Sequence, residues 1–251
     1  MSLEPTDRDL AALLFTWQSR FVTAAQLRRA YWHDLPARSF ARRMAALRAA
    51  GLLGFRGYPW LKDGPLHFSS RKGNRCLAEI GLLSRSHIAD CPRPAEEPGP
   101  ALRHDLNVID LRLGLEESGA DGRTWVSDHQ LRIQRRAMGS QERVPDGVFE
   151  FRRGPTQEQG LLEYEHSPYH RSSIAALLAR LRDRYEGHTL FVVCPSLKRA
   201  DTFRAWAAGS RAYDDAPDQI AFSWREPVAK DGLDGGFVDL WGHPWGRSSN
   251  D

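Results

Sequence analysis

The chain has 251 residues, 41% of them hydrophobic and 27% charged, which is the balance of a globular protein with one large domain or two small ones. Apolar runs such as residues 190–194 are far shorter than the ~18 residues of a membrane helix, and the first residues lack the pattern of a secretory signal. Three scattered cysteines, Cys76, Cys91 and Cys194, exclude a disulfide framework and a zinc ribbon. We therefore expect a cytoplasmic protein with no membrane contact.

Charge is distributed unevenly along the chain. Residues 1–85 contain 14 Lys and Arg against 6 Asp and Glu, a net charge of +8, whereas residues 86–251 contain 21 against 26, a net charge of −5. A basic module joined to an acidic remainder favours binding of a polyanion by the first part. Biased codon composition would explain the preference for Arg over Lys, but it would not explain this asymmetry.

Helical periodicity dominates the first fifty residues. A first helix is predicted from Thr6 to Trp17 with Thr6 as N-cap, and a second one begins at Thr23, which is also suited to capping. A third helix is predicted over residues 36–50, with Pro36 in its first turn and Gly51 at its C-cap. Its apolar stripe consists of Phe40, Met44 and Leu47.

The periodicity changes to that of strands after Gly51. Residues 52–60 and 66–70 predict a two-stranded hairpin, and residues 71–82 a short closing helix. Three helices followed by a hairpin and a helix is the order of a winged helix-turn-helix, whose third helix enters the major groove of DNA. The predicted DNA-binding residues are cations of the third helix and of the hairpin: Arg38, Arg42, Arg43, Arg48, Arg56 and Lys62.

Residues 86–103 are rich in proline and predict a linker between domains 1–85 and 104–245. The second domain alternates helical and strand patterns, which predicts an α/β fold, and residues 246–251 predict a flexible tail. The continuous apolar run at residues 189–196 predicts a buried central strand. Helices are predicted at 104–119, 172–187 and 197–209, and the other strands at 123–133, 144–154, 160–167, 219–226 and 236–241.

Three acidic residues lie on two of these predicted strands. Glu163 and Glu165 are two residues apart, so their side chains share a face of the strand, and Asp146 lies beside Glu163 if the two strands pair. Clustered carboxylates repel each other unless a cation intervenes, and hard oxygen ligands favour Mg²⁺ or Mn²⁺, here with Asp146 and Glu163 as the metal ligands. The alternative is an ordinary turn followed by a solvated strand face.

The segments VPDGVFEF and LLEYEHS, followed by a helix, resemble the PD-(D/E)xK restriction-endonuclease-like superfamily. Pro145–Asp146 and Glu163 match its acidic positions, and Glu165 stands where lysine is usual. This resemblance implies a catalytic set of Asp146, Glu163 and Glu165, with Arg180 in the following helix as the basic residue. Arginine stays protonated, so Arg180 would stabilise the phosphate and would not act as a general base.

The order of elements along most of the chain resembles the replication-relaxation family of plasmids and mobile elements. That resemblance implies a winged helix followed by an endonuclease-like domain with a mixed sheet, and a double-stranded DNA-binding protein of replication, relaxation or transfer. It further implies plasmid-transfer or replication proteins as partners, and a homodimer is an open alternative. Two other hypotheses are a metal-dependent DNA nickase, and a transcription regulator whose second domain mediates dimerisation or partner contact.

Overall fold

The computed structural model describes residues 3–92, 94–95, 99–140, 142–166 and 171–245, and of residues 171 and 172 only the backbone. The predicted tail, 246–251, and positions 93 and 96–98 of the predicted linker lie outside these ranges. The chain divides into two compact units, Met1–Ile109 and Asp110–Asp251. Both contain helices and strands, so the protein is mixed α/β. No helix within the described ranges is long and apolar enough to span a bilayer.

The first unit is built from short helices around a small antiparallel sheet with strand order β1-β3-β2. Thr6 and Thr23 cap α1 and α2 as predicted, each in a reciprocal capping box, with Asp9 and Gln26 respectively. The strand β1 was not predicted. The elements are α1 (Asp7–Ser19), β1 (Phe21–Thr23), α2 (Ala24–Tyr31), α3 (Ala37–Ala49), β2 (Leu53–Arg56), β3 (Leu66–Ser69) and α4 (Arg71–Glu79).

His67 lies fully buried in β3, the middle strand of this sheet, between Val22 of β1 and Phe55 of β2 in register. Burial, and then the positive charge of Arg48, lowers the pKa of His67 from 6.5 to about 4. The imidazole of the folded protein is therefore neutral at physiological pH.

The buried imidazole makes stability depend on pH. As pH falls below 6.5, His67 becomes protonated in the unfolded chain, whereas in the folded protein it becomes protonated only near pH 4. The folded protein therefore loses stability between these two pH values. The loss should reach about 3 kcal/mol at the acid end. Urea unfolding of wild type and His67→Leu at pH 7.0 and pH 4.5 measures it. Because pH 4.5 lies inside this window, wild type should lose about 2.5 kcal/mol more than the variant, and equal losses would show that His67 does not titrate as argued.

The second unit begins within α5 (Pro100–Glu117), which starts four residues before the predicted helix and takes in the end of the predicted linker. Ser127 caps α6 with Gln130, in a region that the sequence analysis assigned to strands. The further elements are β4 (Asp121–Ser127), α6 (Asp128–Ala137), β5 (Gly147–Arg153), β6 (Thr156–Tyr164), α7 (Arg171–Arg184), β7 (Thr189–Cys194), α8 (Leu197–Ala208), β8 (Ile220–Trp224) and α9 (Arg225–Asp231).

The sheet of the second unit has the order β4-β5-β6-β7-β8. Strands β4, β5 and β6 pair antiparallel, whereas β6, β7 and β8 pair parallel through the crossover helices α7 and α8. All six residues of β7 are buried, which confirms the predicted buried strand. In the late segment 236–241, which was predicted as a strand, Val238 forms isolated bridges with Phe222 and with Pro244.

The two faces of this sheet are packed differently. On one face aliphatic side chains of α7 and the strands form a cluster that includes Ile174, Leu178, Leu190 and Val192. Aromatic rings form a second cluster, in which the Phe191 ring lies 5.7 Å from that of Phe149 and 5.1 Å from that of Phe237, centroid to centroid. Burial of both faces fixes the register of the strands, and with it the position of the acidic residues on β6.

Candidate functional site

The first candidate site is the exposed face of α3 in the first unit. The helix begins directly after Pro36, and the predicted stripe of Phe40, Met44 and Leu47 is buried. Arg38 and Arg42 are four residues apart and both are exposed. One turn of helix separates them, so two guanidinium groups project from the same side of α3 toward solvent.

Arg43 is a different case from Arg42, although the sequence analysis placed both on DNA. Its Nε donates to Asp9 Oδ1 at 2.9 Å, and its Nη2 donates to Asp9 Oδ2. Asp9 is fully buried, and Thr6 also donates to its carboxylate. Arg43 therefore ties α3 to α1, and we remove it from the predicted DNA-binding set.

The remaining predicted cations, Arg48, Arg56 and Lys62, differ in the contacts that their side chains make within the first unit. Arg48 lies over the ring of Phe55, with the guanidinium carbon 4.6 Å from the ring centroid. Arg56 donates to Pro94 O at 3.1 Å, which engages part of its guanidinium within the unit. Lys62 is exposed in the connection between β2 and β3. The side chain of Phe55 is 56% exposed, a feature of the hairpin that the sequence analysis did not predict.

The second candidate site is the group of carboxylates in the second unit. Asp146 lies just before β5, where Gly147 pairs with Leu162 of β6. Its N–H donates to Leu162 O at 2.9 Å, and its Oδ2 accepts from the N–H of Tyr164 at 2.7 Å. Asp146 thus contacts the residues on both sides of Glu163, as the predicted pairing of the two strands requires.

Glu163 and Glu165 are each only 1% exposed. Glu165 extends the parallel pairing beyond β6, because its N–H donates to Val193 O at 2.8 Å. The alternative of a solvated strand face is therefore wrong for these two residues. Burial raises the pKa of the neighbouring Cys194 thiol to about 12, and the carboxylate of Glu165 adds to this shift.

Arg143 supplies the positive charge that these acids require, and the sequence analysis missed it. Its Nη2 donates to Glu163 Oε1 and lies 3.7 Å from Glu165 Oε2. A guanidinium reaching both carboxylates confirms that Glu163 and Glu165 share one side of the strand. The only signal in the sequence was the position of Arg143, three residues before Asp146.

Arg180, the predicted basic partner of the acids, is exposed on α7, and its Nε donates to Ala176 O of the same helix at 3.0 Å. Arg143, by contrast, contacts the carboxylates of Glu163 and Glu165. Between residues 3 and 245, wherever the structure describes the chain, no group of three His, Cys, Asp or Glu side chains is arranged to hold a metal ion. Asp146 accepts from a backbone N–H through Oδ2 and Glu163 from the Arg143 guanidinium through Oε1, and Mg²⁺ or Mn²⁺ binding by these two residues stays a prediction.

Comparison with protein-family models, curated proteins and solved structures found no match to this chain.

Proposed function

We propose that the chain is a double-stranded DNA-binding protein whose first unit is a winged helix-turn-helix. The order helix, strand, helix, helix and hairpin, with the sheet order β1-β3-β2, supports this assignment. In this proposal α3 is the recognition helix and the connection between β2 and β3 is the wing. The observation that carries the proposal is the exposed pair Arg38 and Arg42 on α3.

The chemistry of this face suits a phosphate backbone. An α-helix fits the width of the major groove, and α3 buries its apolar stripe inside the unit while its guanidinium groups face outward. Arginine binds phosphate oxygens in a bidentate manner and stays charged at all physiological pH values. Lys62 on the proposed wing adds a third exposed cation, and the net charge of +8 over residues 1–85 favours association with DNA.

We further propose that the second unit is an endonuclease-like domain and that the protein acts in plasmid or mobile-element replication, relaxation or transfer. The domain assignment is supported by the succession of α5, the antiparallel strands β4, β5 and β6 with α6 after β4, and then α7 and the parallel strand β7. The position of Asp146 opposite the end of β6 supports it as well.

The test is the salt dependence of DNA binding. Replacing Arg38 and Arg42 together with alanine should weaken binding to duplex DNA at least about tenfold and lower the slope of log K against log salt by about two, since each lost phosphate contact lowers it by about one. Fluorescence anisotropy with a labelled duplex at several salt concentrations measures both quantities.

A matched control is Arg123→Ala with Arg152→Ala, two exposed arginines of the second unit. This pair lowers the net charge equally and should leave the salt slope unchanged. If the α3 double variant folds and binds with wild-type affinity and slope, α3 is not the DNA-binding helix.

A transcription regulator whose second unit mediates dimerisation would share this DNA-binding behaviour. Footprinting separates the two proposals, because a regulator protects its own promoter and a mobilisation protein protects a transfer or replication origin. A nickase would convert supercoiled DNA to the open circle in Mg²⁺ or Mn²⁺. The absence of nicking in either metal would exclude this alternative.

A further inference from the structure

We propose that Arg143 takes the place of a divalent cation at the carboxylate group of the second unit, so that this group is a metal-independent ion cluster. The proposal concerns the second unit alone and does not depend on DNA binding by the first.

The position of the guanidinium is the first argument. Arg143 Nη2 bonds to Glu163 Oε1 and lies 3.7 Å from Glu165 Oε2, between two carboxylates that are each 1% exposed. Two buried carboxylates on one side of a strand require a positive charge close by. Arg143 provides that charge from the chain itself.

The contacts made by the neighbours of Arg143 are the second argument. Just before it, Glu142 accepts from Arg135 Nη1 at 2.6 Å and also from Arg184 Nη1, so it joins α6 to α7. Just after it, Val144 is buried and Asp146 accepts the N–H of Tyr164. These contacts on either side of Arg143 help to place its guanidinium beside Glu163 and Glu165.

The chemistry of arginine is the third argument. A guanidinium stays protonated across the whole physiological pH range, so neither pH nor the supply of metal removes this charge. A divalent ion at Glu163 would place a second cation beside the guanidinium, and the two positive charges would repel each other. We infer that the folded second unit needs no metal and that chelators do not affect it.

The experiment is a Mn²⁺ titration of the full chain by isothermal titration calorimetry, with and without duplex DNA, alongside melting in Mn²⁺ and in EDTA. Titration of wild type with Mn²⁺ should show no saturable binding that depends on Glu163, so wild type and Glu163→Gln should give the same heats. The Tm of wild type should be the same in Mn²⁺ and in EDTA. Arg143→Gln should lower the Tm by about 10 °C, because it leaves two buried carboxylates without the guanidinium. Adding Glu165→Gln to that variant should restore part of the loss, since it removes one of the two charges.

Arg180→Gln is the matched control, because Arg180 is exposed and its Nε donates to Ala176 O of the same helix. The Tm of this variant should equal that of wild type. If Arg143→Gln does not fold, Arg143→Lys is used in its place, because lysine keeps the positive charge. The titration of wild type with Mn²⁺ tests the proposal in either case. Saturable Mn²⁺ binding to wild type that Glu163→Gln abolishes would overturn the proposal. So would a folded Arg143→Gln variant with the Tm of wild type.

Discussion

Val192→Asp should unfold the second unit. Val192 is 1% exposed on β7, an interior strand, and it pairs with Glu163 of β6 and Phe222 of β8 in register. The new carboxylate would be buried in an apolar cluster and would also lie beside the carboxylate of Glu163. We expect a cost of at least about 5 kcal/mol, which is comparable to the whole stability of many domains.

Circular dichroism and urea unfolding measure this effect, and Val192→Ala serves as the control. Alanine removes two methyl groups without adding charge, so it should cost about 2 kcal/mol and leave a folded protein. A Val192→Asp protein that melts near the wild-type temperature would show that β7 is not the buried interior strand described above.

Arg43→Ala should destabilise the first unit by about 3 kcal/mol, the lower end of the range for removing one partner of a buried ion pair. Burial by itself would raise the pKa of Asp9, but hydrogen bonds from Arg43 and Thr6 outweigh it and lower that pKa. Without Arg43 the buried carboxylate keeps only the two hydrogen bonds from Thr6. Urea unfolding at neutral pH measures the loss.

The neighbouring residue provides the comparison. Arg42 is exposed, so Arg42→Ala should change stability by less than about 0.5 kcal/mol, while it weakens DNA binding under the function proposed above. Arg43→Ala should show the opposite pair of effects. If both variants lost affinity and neither lost stability, the ion pair with Asp9 would not hold α3 in place.

The first unit could be predicted closely because its signals are local. Thr6 with Asp9 and Thr23 with Gln26 mark helix starts within four residues of sequence, and both capping boxes form. The strand β1 was missed because its three residues become a strand only by pairing with β3, more than forty residues later. Short strands depend on such partners more than on their own composition.

In the second unit the strands that carry the acids were predicted, whereas α6 was not. The aromatic and β-branched residues of β4 suggested that the strand continued, although Ser127 and Gln130 form a capping box. The juxtaposition of Asp146 and Glu163 followed from strand pairing alone. The burial of Glu163 and Glu165 did not follow, because alternating acids look the same in sequence on a covered face and on a solvated one.

Arg143 shows where inference from sequence stops. Its contact with Glu163 spans twenty residues and depends on the path of the segment before β5, which no periodicity describes. Arg43 illustrates the same limit, since an arginine that pairs with another helix and one that faces solvent look alike in the sequence of their own helix. Both residues were identified by ion pairs with distant acids.

The parallel pairing of β6, β7 and β8 also sets the order in which the protein can fold during synthesis. The sheet of the first unit has all its strands once Ser69 is made, whereas β7 gains its second neighbour only after α8 and β8 have followed. Contacts between strands that are distant in sequence form slowly, because the chain must first close long loops. Until β8 emerges, the apolar strand β7 presents an open edge. That interval is when the nascent chain is most prone to aggregate.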